Sequence, residues 1–247
     1  NDENSDMDEA VLRYQGIIVD HALPPVKRMQ RIDDKTGRYL TQSIAVTGFG
    51  CASFQQAYQG MFVIAEHLGR HLPNDAAPLW KVQKYHGMDT IHGSNRYLTW
   101  KGASEVAASI PFAPHVDPFQ TLSEIAGDKY IHTEENHVEY MVCSGLESDK
   151  ATRYRPKDPA TFAVGDIVEV QVSFAAFSTR GRNGNALELV LRGVTLLTDR
   201  FSRAARITQM MSETSKPAAS APALKRKTRY EDDDVEVDST GEQLKRM

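Results

Sequence analysis

Six arginines gather between residues 178 and 206: Arg180, Arg182, Arg192, Arg200, Arg203 and Arg206. Only two carboxylates, Glu188 and Asp199, share that stretch, so its local balance is +4 in a chain whose formal net charge is −4. A guanidinium presents a planar fork of N–H donors that matches the oxygens of a phosphate. A cationic stretch inside a mildly acidic chain points to a local patch for a polyanion and excludes a wholly basic, histone-like binder. Arg180 and Arg182 fall in the run Ser178-Thr179-Arg180-Gly181-Arg182-Asn183-Gly184-Asn185. Its Asn-Gly pair is a hairpin signal and places both arginines at a hairpin tip. Arg200, Arg203 and Arg206 recur at three-residue steps and share one helix face. The expected phosphate contacts are Arg180, Arg182, Arg200 and Arg203. Phe177 is the expected stacking face for a base, ahead of Tyr154 and Phe174; Phe174 falls on the apolar side of its own strand. The bland alternative is a solvated loop and the polar side of an ordinary helix.

A second cationic cluster, Leu224-Lys225-Arg226-Lys227-Thr228-Arg229, follows a Pro/Ala/Ser-rich linker and precedes Glu231-Asp232-Asp233-Asp234. Short runs of this kind act as nuclear localisation signals by presenting several cations to an acidic receptor groove. Lys225, Arg226, Lys227 and Arg229 are the expected signal, with a nuclear import receptor as partner. The competing reading is a polyampholyte tail that only keeps the chain soluble.

Enzyme signatures are weak. His132-Thr133-Glu134 has the His-x-acid spacing of non-haem iron sites, but all eight histidines lie at or before His137, so no distant downstream partner exists. His67 and His71 stand four apart, yet Leu68 occupies the place where a zincin needs glutamate. Cys143 sits among alternating residues, as a buried free cysteine does. Ser144-Gly145 completes no nucleophile elbow, and no Gly-x-Gly-x-x-Gly or phosphate-loop run is present. No catalytic residue, metal ligand or cofactor is expected. An enzymatic alternative would centre on His86, Asp89 and His92.

These residues need elements to hold them. Ile167–Phe174 alternates Val168, Val170, Val172 and Phe174 with Glu169, Gln171 and Ser173, which is a strand with one wet face. Residues 186–197 form its partner, with Gly193 marking a bulge. Residues 200–211 read as an amphipathic helix. Upstream, 16–19, 39–49, 80–86, 95–100 and 137–143 read as strands, and Gly87–Thr90 as a loop. Phe54, Tyr58, Met61, Ala65, Leu68 and Leu72 recur at helical steps, giving a long helix from an N-cap at Ser53. Residues 119–126 form a short helix after Asp117-Pro118.

Three stretches carry a family likeness: Ile131–Tyr140 (IHTEENHVEY), Phe162–Phe174 (FAVGDIVEVQVSF) and Leu189–Leu197 (LVLRGVTLL). Over about residues 110–200 the chain resembles a family of uncharacterised proteins from mushroom-forming fungi. The resemblance implies an ordinary fungal intracellular protein and brings no activity or site residue with it.

A chain of 247 residues, 40% of them hydrophobic, can bury a substantial core. No apolar run reaches the roughly 18 residues of a membrane helix. Two cysteines, Cys51 and Cys143, and no apolar leader segment favour free thiols in a reducing compartment. The expected organisation is a disordered N-terminus at 1–10, one compact α+β unit at 11–212 with a sub-boundary near 103–118, and a disordered charged tail at 213–247. Within the unit, short and mostly antiparallel strands surround one longer N-terminal helix and end in a β-hairpin, compatible with a small OB-like barrel. The leading function is a non-enzymatic nuclear module for single-stranded nucleic acid; the alternative is a protein-interaction scaffold with no nucleic-acid role.

Overall fold

The computed structural model describes residues 9–27, 36–72, 83–103, 108–144, 153–178 and 185–214. In chain order the strands are β1 (Leu12–Ala22), β2 (Thr41–Thr47), β3 (Gln83–Tyr85), β4 (Met88–Arg96), β5 (Thr99–Trp100), β6 (Tyr130–Ile131), β7 (Glu139–Cys143), β8 (Tyr154–Pro156), β9 (Ile167–Ser178) and β10 (Asn185–Thr198). The helices are α1 (Thr36–Tyr39), α2 (Ala52–His71), α3 (Thr121–Ala126) and α4 (Arg200–Thr214).

The alternation of β9 sets the architecture. Val168, Val170 and Val172 are fully buried, while Glu169 and Gln171 stay partly exposed on the opposite face. One apolar face per strand can be hidden by curling the sheet on itself. Five strands do so: β1 pairs with β2, β2 with β4, β4 with β10, β10 with β9 and β9 back with β1. The closing contact, Val190 opposite Ser94, is parallel, and the other four pairings are antiparallel. Numbered within the barrel, the order is one-two-three-five-four, closing on one, the arrangement of an OB-type barrel. Ile18, Ile44, Val46, Ile91, Leu189 and Leu191 fill the interior with the three valines. The expected bulge is present: β10 shifts register between Leu191 and Gly193, which returns Val194 and Leu196 to the core.

Phe54, Tyr58, Met61 and Ala65 form the buried face of α2, as the helical spacing predicts. The N-cap is Cys51 rather than Ser53, and it makes no side-chain cap bond. The short helix begins at Thr121 rather than Phe119, because the Asp117 carboxylate accepts from the backbone N–H groups of Leu122 (3.0 Å) and Ser123 (2.9 Å).

Gly87–Thr90 is the main correction. Of these residues only Gly87 lies in the β3–β4 turn: β4 runs through Met88–Arg96, so Met88–Thr90 are strand, and the segment read as a strand over 95–100 breaks at Tyr97–Leu98. The inward positions of β4 are Ile91, Gly93 and Asn95, and two of the three are not apolar, so no hydrophobic alternation marks the strand. Gly93 packs closely beneath β9: a Cβ there would lie 3.0 Å from Val172 Cγ1, so the valine would have to shift.

The chain divides after Arg206, into Asn1–Arg206 and Ile207–Met247, and no division falls at 103–118. In the second unit the described residues, 207–214, are helical. Glu9 lies inside the predicted frayed N-terminus yet is held by Ser173 and Arg192. Residues 1–8 and 215–247 lie outside the described residues, and with them Lys225, Arg226, Lys227 and Arg229. No helix among the described residues is long and apolar enough to cross a membrane.

Candidate nucleic-acid interface

The outer face of the barrel carries the candidate surface. Arg96 ends β4, and its strand end is fixed from the inside. The buried Asn95 amide donates to the carbonyls of Glu135 (2.9 Å) and Leu191 (3.1 Å), which locks β4 to β10 and to the turn at Glu134–Asn136. Beside it, Gln42 donates to the Asn136 carbonyl (3.0 Å) and accepts from the Tyr140 hydroxyl (2.7 Å). The Asn136 side-chain oxygen accepts from Thr99 and from the Thr133 hydroxyl, each at 3.0 Å. Buried polar groups need such partners, and a satisfied network fixes one geometry. Strand alternation then turns Arg96 outward, where it is exposed.

Phe177, near the end of β9, pairs across the hairpin with Ala186. The Arg96 guanidinium lies 5.4 Å from the centre of the Phe177 ring, within cation–π range. The two share a groove of about 400 Å3 whose lining includes Thr41, Ser94, Ala175 and Glu188. It lies between the start of β2, the end of β4 and the end of the β9–β10 hairpin next to its connection.

The charge of the groove is mixed. Arg192 lines it too, but Arg192 is spent: it donates to the Glu9 carboxylate, to Ser173 Oγ (3.1 Å) and to the Glu135 carbonyl (2.6 Å). Burial pushes the Glu9 carboxyl up, but bonds from Arg192 and Ser173 and the arginine charge outweigh it, and the group sits below its ordinary value. Arg96 is therefore the lining cation without an ion pair among the described residues.

The predicted residues do not all meet here. Phe177 lies in the groove. Arg180 and Arg182 lie outside the described residues, in the connection that leaves β9 one residue after Phe177. Arg200 and Arg203 are exposed on the first turn of α4, which follows the other end of β10. There Thr198 pairs with Ile167, ten residues of β9 from Phe177, or about 33 Å of strand. That turn is pinned by the buried Ser202, which bonds the buried Asp166. Gly165 turns beneath it at φ +92°, with the Ser202 Cβ only 3.2 Å from where a Cβ would sit. Tyr154 sits on β8 at the sheet edge beside Arg153, and Phe174 packs on the core as its strand face predicts. Arg96 and the start of β2 are the residues the sequence did not mark. A single arginine closing a polar strand carries no local signal.

The catalytic alternatives are scattered. His86 occupies the β3–β4 turn at φ +47°, and Asp89 and His92, three apart on β4, point to opposite faces. His132 is buried, stacked on Phe112 at 4.1 Å, with Nδ1 donating to the Tyr97 carbonyl at 2.8 Å. The rings of His67 and His71 lie 4.7 Å apart on exposed helix surface. No cluster of three or more His, Cys, Asp or Glu able to hold a metal occurs among the described residues. Cys51 and Cys143 are both free thiols.

No family model matches this sequence, and no curated protein matches it. Among solved structures, the chain is similar in shape to the single-stranded DNA binding protein gp2.5 encoded by bacteriophage T7. That likeness has a TM-score of 0.38 at 11% identity and covers 77% of this chain and 93% of the phage protein.

Proposed function

We propose that the barrel binds single-stranded nucleic acid in the groove between β2, β4 and the β9–β10 hairpin. A base stacks on Phe177, and Arg96, Arg180 and Arg182 contact phosphates. The observation that carries this reading is the Arg96–Phe177 pair, a partly exposed aromatic ring with a cation over it at the groove. Stacking platforms with adjacent cations are how single strands are held without sequence readout. The groove also lies where OB-type barrels take oligonucleotides, at the second and third strands and the loop between the fourth and fifth. Because one lining cation is uncommitted, affinity leans on stacking more than on charge, and stacking needs unpaired bases. Arg200 and Arg203, at the far end of β10, are not part of this contact. We also propose that Lys225, Arg226, Lys227 and Arg229 address the chain to the nucleus.

Fluorescence anisotropy with a labelled 15-mer at low salt tests the first reading. The single strand should bind at least about fivefold more tightly than its duplex, one base stack being worth about 1–3 kcal/mol. Failure of the single strand to bind overturns the proposal. For the address, the tagged full chain should concentrate in nuclei and disperse when Lys225, Arg226 and Lys227 become alanine; even distribution of the unaltered chain would refute it.

A further inference from the structure

We infer that Glu188 gives this groove a preference among bases, favouring guanine over thymine or uracil. The inference rests on the single-strand reading and adds a specificity residue to it. Glu188 is exposed on β10 and lines the same groove as Phe177. In the hairpin register Phe177 faces Ala186 and Glu188 faces Ala175, so Phe177 and Glu188 are diagonal neighbours on one face. Such neighbours stand about 7 Å apart, within reach of the edge of a base lying on the ring.

A carboxylate only accepts hydrogen bonds. The Watson–Crick edge of guanine offers N1–H and N2–H side by side, which meet both carboxylate oxygens at once. Cytosine and adenine offer one amino group beside a ring acceptor. Thymine and uracil offer one N–H flanked by two carbonyl oxygens, which a carboxylate repels. In a single strand these edges are unpaired and free to be read.

Three features keep Glu188 available. It has no ion pair among the described residues. Of the two other glutamates lining the groove, Glu9 is committed to Arg192, and Glu135 is held at its backbone carbonyl by Arg192 and Asn95. His92 is the nearby titratable group on β4. Burial holds its imidazole below the ordinary value despite the opposing pull of Asp20 and Glu188, so it stays neutral at neutral pH and does not cancel the Glu188 charge.

The test uses the full chain and thymidine 12-mers carrying one central guanine, inosine, cytosine or thymine. Guanine should bind about tenfold more tightly than thymine, a bidentate pair being worth a discrimination of that order. Inosine, which lacks the N2 amino group, should fall between. Glu188→Gln should erase the guanine preference while strengthening the all-thymine complex by removing the repulsion. Equal binding of all four oligonucleotides, or a guanine preference that survives in Glu188→Gln, overturns the inference. If all four bind equally and Phe177→Ala weakens them together, the specificity claim fails while single-strand binding stands. If none binds, both fall.

Discussion

The Arg96 guanidinium sits 5.4 Å from the centre of the Phe177 ring, joining the end of β4 to the connection end of the β9–β10 hairpin. The cation and the aromatic face come from distant parts of the chain, and the barrel closure between β4 and β10 brings them together. Phe177→Ala should weaken single-strand binding by about five- to a hundredfold, the range of one lost base stack. Phe177→Tyr, which keeps the ring face, should bind nearly as the native protein does. Both variants should melt within a few degrees of it, because Phe177 is only partly buried. Anisotropy and thermal melts on the same samples check this, and equal loss in Ala and Tyr would remove the stacking role.

Two buried tyrosines should respond in opposite directions to the same substitution. The Tyr140 hydroxyl donates to Gln42 at 2.7 Å, so Tyr140→Phe leaves a buried acceptor unpaired and should cost about 1–3 kcal/mol. The Tyr14 hydroxyl is buried with no hydrogen-bond partner among the described residues, and burial raises its pKa far above the ordinary range. Tyr14→Phe removes that orphan and should be neutral or stabilising. Denaturant melts of the two variants decide the matter; a large loss in Tyr14→Phe would mean that the hydroxyl has a partner.

Acidification should destabilise the fold first through its histidines. Burial lowers the pKa of His132, outweighing the opposing bond to Tyr97, and burial likewise lowers that of His92. A group depressed in the folded state contributes stability that is full above its unfolded value, near 6.5, and is lost as pH falls through the folded value. The Glu9 contribution follows the same sign in a lower window, below its ordinary 4.5. Melting temperature should therefore be flat from pH 8 to about 6.5 and fall toward pH 5, with a shallower fall in His132→Gln. A melting temperature that rises over that interval contradicts the burial of these rings.

How much was legible in the sequence follows from where the polar residues sit. In β9 and β10 every inward position from Val168 to Val172 and from Leu187 to Leu191 is apolar, so alternation alone reveals both strands. In β4, Gly93 makes room for Val172 and Asn95 bonds two carbonyls far away in the sequence, so the inward face shows no apolar alternation; composition marks Gly87–Thr90 as a loop and only 95–100 as strand. The same holds for the interface. Phe177 stands next to the hairpin signal and could be named. Arg96 acquires its place only when the barrel closes. The arginine count suggested one patch, but nothing in composition tells which end of a fourteen-residue strand each arginine occupies. Nor does composition reveal that Arg192 is consumed by Glu9.

The inward face of β9 offers a check on the barrel itself. Val170 is fully buried opposite Tyr14, whereas the neighbouring Gln171 is partly exposed on the opposite face of the strand. Val170→Asp should unfold the unit or lower its melting temperature by more than about 10 °C, because it buries an unpaired carboxylate. Gln171→Asp should shift it by only a few degrees. Equal shifts would contradict the register.

The salt dependence of single-strand binding tests the central claim most directly. Three phosphate contacts, by Arg96, Arg180 and Arg182, should give a slope of log affinity against log salt near −2, at roughly −0.7 per phosphate on a single strand. Arg96→Ala alone should reduce the slope by about 0.7, and the triple alanine variant should bring it close to zero while stacking-driven binding persists at low salt. An unchanged slope in the triple variant, or no binding of the native chain to any single strand at low salt, would contradict the account.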